Sequence, residues 1–200
     1  MIRPRPVSSL PRDRVSLGCP QLDAFLGGGL PVGSLTELVG EPGASKTQVC
    51  LQAMLTATLP CTASGMGGSA VYIYTEGEPA MKRLRELASV YRVRTFNSAG
   101  CAGGDGAAAA AAAGPEASDP TAHVFVEKGV HDGHELLARL RRLRSLLAAQ
   151  ARSQRPVRLL VVDSVGHVLR ELGGAAGAVA GTAQLAGRTE LLFRLSAMLR

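Results

Sequence analysis

The apolar positions of this chain follow two rhythms. Short apolar runs that stop at a glycine or an acid read as strands, and stretches with apolar residues three and four apart read as helices. Leu35-Thr36-Glu37-Leu38-Val39, ending at Gly40, predicts a strand running into a turn, and Val49, Ala53, Met54 and Ala57 predict one face of a helix over Thr47 to Thr58. A second strand is expected at Ala70 to Thr75, followed after Pro79 by a helix to about Tyr91 with Leu84 and Leu87 inward. His123 to Glu127 predicts a third strand. Asp132, with Glu135 three residues later, has the spacing of a helix start; in that helix Leu136, Leu140, Leu143 and Leu147 form the buried stripe, while Arg139, Arg141, Arg142 and Arg144 lie to the sides and outward. Val157 to Asp163 is almost continuously apolar and ends in an acid, as expected of a parallel strand covered on both faces. A Gly/Ala-rich loop around Gly173 to Gly181 and a helix from about Gln184 to Arg200 complete the chain. Strands alternating with helices predict an α/β doubly wound sheet with ligands at the carboxyl ends of its strands.

Two segments stand outside this rhythm. Residues 1–14 are rich in Pro, Arg and Ser and are expected to form a flexible basic tail ahead of a core spanning 15–200. Residues 97–120, with the alanine run Ala107 to Ala113, lack an amphipathic face and read as a flexible low-complexity insertion that carries no chemistry.

Composition narrows the class. The 200 residues are 46% hydrophobic and 19% charged, with no run of about eighteen apolar residues, so a soluble globular domain is expected and no membrane partner. Aromatic residues make up 4% and Trp is absent, which leaves a Leu, Val and Ala core and few platforms for stacking unpaired bases. A net charge of +6 and a pI near 9.6 point to an anionic partner. The cations are nearly all Arg, with Lys46, Lys82 and Lys128 the only lysines, in a chain also rich in Ala and Gly, so charge alone does not decide for nucleic acid. Cys19, Cys50, Cys61 and Cys101 form no paired spacing, which argues against zinc and disulfides and fits a reducing compartment. The opening Met1 to Pro6 is basic without an apolar stretch, so a cytosolic or nuclear protein is expected.

The strongest chemical signal is Gly40-Glu41-Pro42-Gly43-Ala44-Ser45-Lys46-Thr47, between a predicted strand and a predicted helix. Backbone N–H groups of such a loop cradle phosphate oxygens, the lysine reaches the outer phosphates, and the threonine hydroxyl holds Mg2+. The pattern calls for glycine before the lysine, and Ser45 stands there. A Cβ at a left-handed position costs about 1–2 kcal/mol, enough to weaken nucleotide binding roughly tenfold. Asp163, at a strand tip, is the natural second acid for Mg2+. Glu76, directly after the second strand, is positioned to orient and deprotonate an attacking water. His123, His131 and His134 lack the companions of a metal site and read as surface or capping residues. Ser164 with His167 lacks a nucleophile elbow, which argues against a hydrolase.

Several strings together resemble the RecA-type recombinases of eukaryotes and archaea. Leu17-Gly18-Cys19-Pro20-Gln21-Leu22-Asp23 with Gly27-Gly28-Gly29-Leu30 resembles their opening motif, Ser45-Lys46-Thr47-Gln48 their GKTQ, Val71 to Gly77 their YIDTEG, and Leu160-Val161-Val162-Asp163-Ser164 their LVVDS. The wording is most similar to a plant-like recombinase paralogue. The resemblance implies a RecA-like P-loop ATPase core, with a mostly parallel sheet flanked by helices, incomplete at the C-terminus. It implies ATP and Mg2+ as cofactors, bound by Gly40, Gly43, Ala44, Ser45, Lys46, Thr47 and Gln48, with Asp163 and Thr47 on the metal. Glu76 would be the water-activating carboxylate, and Arg83 would pack on the adenine. Also implied are homologous recombination repair of double-strand breaks in the nucleus, another recombinase paralogue as partner, the recombinase filament, and single-stranded or branched DNA.

The chain departs from the family at Glu78-Pro79, where the family has Thr-Phe. It departs again after Arg170, where the stretch matching the first DNA-binding loop has no basic residue before Arg188, so direct strand exchange is not expected. The family strand that lies between the phosphate-loop strand and the Asp163 strand would fall beyond Arg200, leaving unpaired edges mid-sheet. An alternative is a nucleotide-independent adaptor subunit of a paralogue complex. A small-metabolite kinase would need an acceptor site and lid that the sequence does not display.

Overall fold

The computed structural model describes residues 14–61, 65–101, 119–171 and 182–199. The expected basic tail, the alanine run and the 173–181 loop lie almost wholly outside these residues.

Three parallel strands, β3 (Ser69–Tyr74), β4 (Val124–Glu127) and β5 (Val157–Asp163), form a sheet in the order β4-β3-β5. Preceding it are a small antiparallel pair, β1 (Arg14–Val15) with β2 (Leu30–Pro31), and the short helix α1 (Pro20–Phe25) between them. Helices α2 (Lys46–Thr58) and α3 (Met81–Cys101) follow β2 and β3, α4 (Gly133–Gln150) joins β4 to β5, and α5 (Val165–Glu171) and α6 (Thr182–Leu199) come last. The three strands fall where the apolar runs placed them, within a residue. None of the described helices is long and apolar enough to cross a membrane.

The pleat sorts β3 into two cores. Ala70 and Tyr72 pack with Leu51, Met54 and Leu55 of α2 and Leu84 and Ala88 of α3. Val71 and Ile73 pack on the opposite face with Leu136, Leu140 and Leu143 of α4, Val168 of α5, and Leu191 and Leu195 of α6. The result is a helix–sheet–helix sandwich. Asp132 caps α4, its side chain accepting from Glu135 N at 2.7 Å, as the spacing predicted.

Helix α2 departs from the one-faced pattern expected of it. Leu51, Ala53, Met54, Leu55, Thr56, Ala57 and Thr58 are all buried, because strands, α3 and the 3-10 turn at Pro120–His123 surround its second half. The two threonines remain satisfied: the Thr58 hydroxyl donates to Leu55 O and Pro120 O.

Two further expectations are corrected. Helix α3 does not stop near Tyr91 but continues to Cys101, so the start of the segment read as a flexible insertion is helical; residues 102–118 lie outside the described residues. Leu35 to Val39 is not a strand. It carries no ladder partner, and Leu35 and Val39 are 61% and 84% exposed. An isolated extended segment leaves its backbone to water, and among the described residues no strand lies beside the outer edge of β5 to pair with it.

Candidate functional site

In parallel strands the same parity points the same way, so Tyr72 and Tyr74 on β3, and Leu159, Val161 and Asp163 on β5, all turn toward α2. The amino end of α2 meets the carboxyl end of β5 there. The Thr47 hydroxyl donates to Asp163 Oδ2 at 2.8 Å, and the Tyr72 hydroxyl donates to the same oxygen at 3.1 Å. Burial and the neighbouring carboxylate push the Tyr72 phenol well above its usual range, so it stays a donor. Burial likewise pushes the Cys50 thiol, one turn along α2, up to about 11, with Asp163 adding to the shift.

The phosphate loop wraps this helix end. Gly43 has φ +82° and Ser45 φ +62°, the latter the one non-glycine residue at positive φ among the described residues. The cost foreseen for a Cβ before the lysine is therefore incurred, and Ser45 supplies no side-chain cap in return. Gly40 sits tight against Ala44, whose Cβ would lie 3.3 Å from a Cβ placed on the glycine. Lys46 Nζ donates to Gly40 O and Glu41 O, both at 2.8 Å, so the ammonium closes the loop on itself. Gln48, one turn into α2, accepts from Arg83 Nε at 3.0 Å, and Arg83 also pairs with Glu86 at 3.0 Å.

A cleft of about 190 Å³ opens beside these groups, lined by Thr47, Tyr72, Glu76, Glu78, Ala80, Asp163 and Ser164. Glu76 is at its rim, where its Oε2 accepts from Arg170 Nη2 at 3.2 Å and lies 3.9 Å from His167 Nδ1. The strand ends that carry Glu76 and Asp163 are fastened together: the Thr75 hydroxyl donates to Ser164 O at 2.7 Å and accepts from Ser164 N at 3.1 Å. Thr47, Asp163 and Glu76 thus converge on one cleft, with Lys46 at the loop beside Thr47, and Arg83 with Gln48 along α2.

The contacts that Tyr72, Thr75, Arg170 and His167 make at this cleft were not foreseen from the sequence. Tyr72 and Tyr74 carry the period of a strand facing α2, which marks the face; the register that sets Tyr74 beside Asp163 has no local signature. No cluster of three or more His, Cys, Asp or Glu able to hold a metal occurs among the described residues.

The sequence has relatives. The Rad51 family model matches residues 13–100. DNA repair protein XRCC3 of Bos taurus is 35% identical over 196 residues, covering 94% of this chain and 48% of that protein. The XRCC3 homolog of Arabidopsis thaliana is 30% identical over 194 residues, covering 94% and 55%. DNA repair and recombination protein RadA of Metallosphaera sedula is 28% identical over 162 residues, covering 80% and 42%. The chain spans about half the length of these relatives. With loop, acid and parallel sheet in their RecA-like arrangement, the chain belongs to the Rad51 family of RecA-type recombinases, as an XRCC3-like paralogue.

Proposed function

We propose that this chain binds ATP with Mg2+ between the 40–47 loop and Asp163, and acts in homologous recombination repair of DNA double-strand breaks. In this reading it works in the nucleus with another recombinase paralogue, assists recombinase filament assembly, and meets single-stranded or branched DNA within that complex. The observation that carries the nucleotide reading is the 2.8 Å contact of the Thr47 hydroxyl with Asp163. A hydroxyl and a carboxylate are the hard oxygen donors that Mg2+ takes. The amides opening α2 direct positive partial charge at a phosphate. The residues present therefore fit the group.

Bound there, Mg-ATP supplies the electrophilic phosphorus and a charge to be neutralised. The chain's own part is to hold it. Lys46 would exchange its two loop carbonyls for phosphate oxygens, Asp163 and Thr47 would hold the cation, and Arg83, braced by Gln48, would pack on the base. Glu76 would be the carboxylate that orients water, with its Oε2 meeting Arg170 at the rim, and hydrolysis would be slow at most. Saturable binding of labelled ATP that requires Mg2+ and is lost in Lys46→Ala is the expected result. Absence of saturable binding, or binding indifferent to Lys46→Ala, refutes the reading.

The second reading, a nucleotide-independent adaptor, is favoured by one observation: Lys46 is satisfied by its own loop next to a strained Ser45. It predicts that association with a partner paralogue is the same in wild type and Lys46→Ala, without added nucleotide.

A further inference from the structure

The net charge of this chain is concentrated in one place. Residues 136–162 hold seven of the 22 Lys and Arg and none of the 16 Asp and Glu, so the rest of the chain, taken alone, is slightly acidic. Two of the seven are committed. Arg139 pairs with Glu127 at 2.9 Å and Glu135 at 3.3 Å, and Arg155 Nη1 donates to Thr58 O at the end of α2. The other five, Arg141, Arg142, Arg144, Arg152 and Arg158, are exposed and form no ion pair among the described residues.

Arg141, Arg142 and Arg144 lie on the middle turns of α4, which runs toward the amino end of the sheet, and Arg152 on the connection after it and Arg158 at the start of β5 lie at that end. The opposite end carries Asp163, about 20 Å away along a seven-residue strand. The position of Arg158 has a specific cause. Ser69 pairs with Val157 and Ala70 with Leu159, so Arg158 is the extra residue of a β-bulge. The bulge leaves Val157 packed against the α4 core and turns Arg158 out of the ladder. Asp119, an acid near this end, caps the following turn, accepting from Thr121 N at 2.9 Å.

We infer that this amino-end rim binds the sugar-phosphate backbone of duplex DNA. Guanidinium forks suit phosphate, and the small polar residues between them, such as Ser145, Gln150 and Ser153, are further phosphate donors. From Lys128 to Leu192, the segment that carries these arginines, the chain has no Phe, Tyr or Trp, so it offers few platforms on which unpaired bases stack, which favours duplex over single strand. It also lacks the aromatic anchors on which a protein partner's affinity rests, which favours nucleic acid over an acidic protein. The rim deepens the DNA-repair reading by naming the form of DNA and the surface, yet it stands apart from the nucleotide cleft.

The test is anisotropy of a labelled duplex of about 20 base pairs with the 200-residue chain, across about 50–200 mM salt and without nucleotide. The rim triple variant Arg142→Gln/Arg144→Gln/Arg152→Gln is compared with a charge-matched triple, Lys82→Gln/Lys128→Gln/Arg194→Gln, both checked for native melting. The rim triple is expected to lose at least about tenfold in affinity and to flatten the salt slope by about 3, and the control to change little. Equal losses in both triples, no loss in the rim triple, or tighter rim-dependent binding of the single strand or of a polyglutamate peptide each overturn the inference. So does absence of salt-dependent duplex binding by the wild type. ATP binding by the rim triple, measured in parallel, reads the nucleotide proposal separately.

Discussion

Thr47 lies in the first turn of α2 and Asp163 closes β5, 116 residues apart in sequence, and a 2.8 Å hydrogen bond joins them. This contact ties the phosphate loop to the sheet, and its two oxygens are the Mg2+ donors of the proposed site. Asp163→Asn keeps the shape and an acceptor but removes the charge. It is expected to weaken Mg2+-dependent ATP binding by about tenfold or more while shifting the melting point only slightly, since the amide oxygen still accepts from the Thr47 and Tyr72 hydroxyls. Titration with labelled ATP at several Mg2+ concentrations checks it; an unchanged Mg2+ dependence would remove Asp163 from the site.

Ser45 sits at φ +62° and ψ 20°, where a Cβ is strained. Ser45→Gly is expected to stabilise the chain by about 1 kcal/mol, a rise in Tm of roughly 2–4 °C for a domain of this size. If the strain resists closure of the loop on phosphate, ATP affinity rises by up to tenfold in the same variant. Thermal melting and ATP titration separate the two effects. A variant that melts lower than wild type contradicts the strain argument.

Gly29 has φ +108°, and a Cβ there would run into the carbonyl of Val15, the residue that pairs with Leu30 in the β1–β2 ladder. The obstacle is backbone and has no rotamer to retreat to. Gly29→Ala is expected to cost about 2 kcal/mol or more, read as a lower urea midpoint with an unchanged slope. Gly27, at φ +69° with open space around it, isolates the conformational part, and Gly27→Ala should cost only about 1–2 kcal/mol.

The Cys50 thiol is pushed up to about 11 by burial and by Asp163, whereas Cys61 is exposed. Alkylation of the native protein near pH 8 followed by mass spectrometry should label Cys61 and spare Cys50, with Cys50 becoming reactive in urea. Because the folded pKa lies above the ordinary 9.0, this group's contribution to stability is complete below pH 9 and is lost as the pH rises from 9 through about 11. Rapid labelling of Cys50 in the native state would show that α2 opens at its first turns.

Much of the site was legible because its chemistry is local. The 40–47 loop, Thr47 and Lys46 follow one another in the chain, and an apolar run ending in Asp163 marks a strand tip by pattern alone. The strained Ser45 was visible as a departure from the loop's own glycine pattern. The partners of these groups were not legible. Tyr72 reaches Asp163 through a strand register, and Arg170 reaches Glu76 through the helix that follows β5; neither relation leaves a mark within a window of neighbouring residues.

The sequence by itself determined the α/β alternation, the three strands to within a residue, the glycine-rich 40–47 turn and the excess of arginine, because side-chain period, glycine punctuation and charge are properties of consecutive residues. The tertiary structure decided what those elements meet. It buried the second half of α2 on all sides, left Leu35 to Val39 exposed with no neighbouring strand among the described residues, and turned Arg158 outward through a bulge. Burial, pairing and register depend on contacts between segments far apart in the chain, and only the folded molecule sets them.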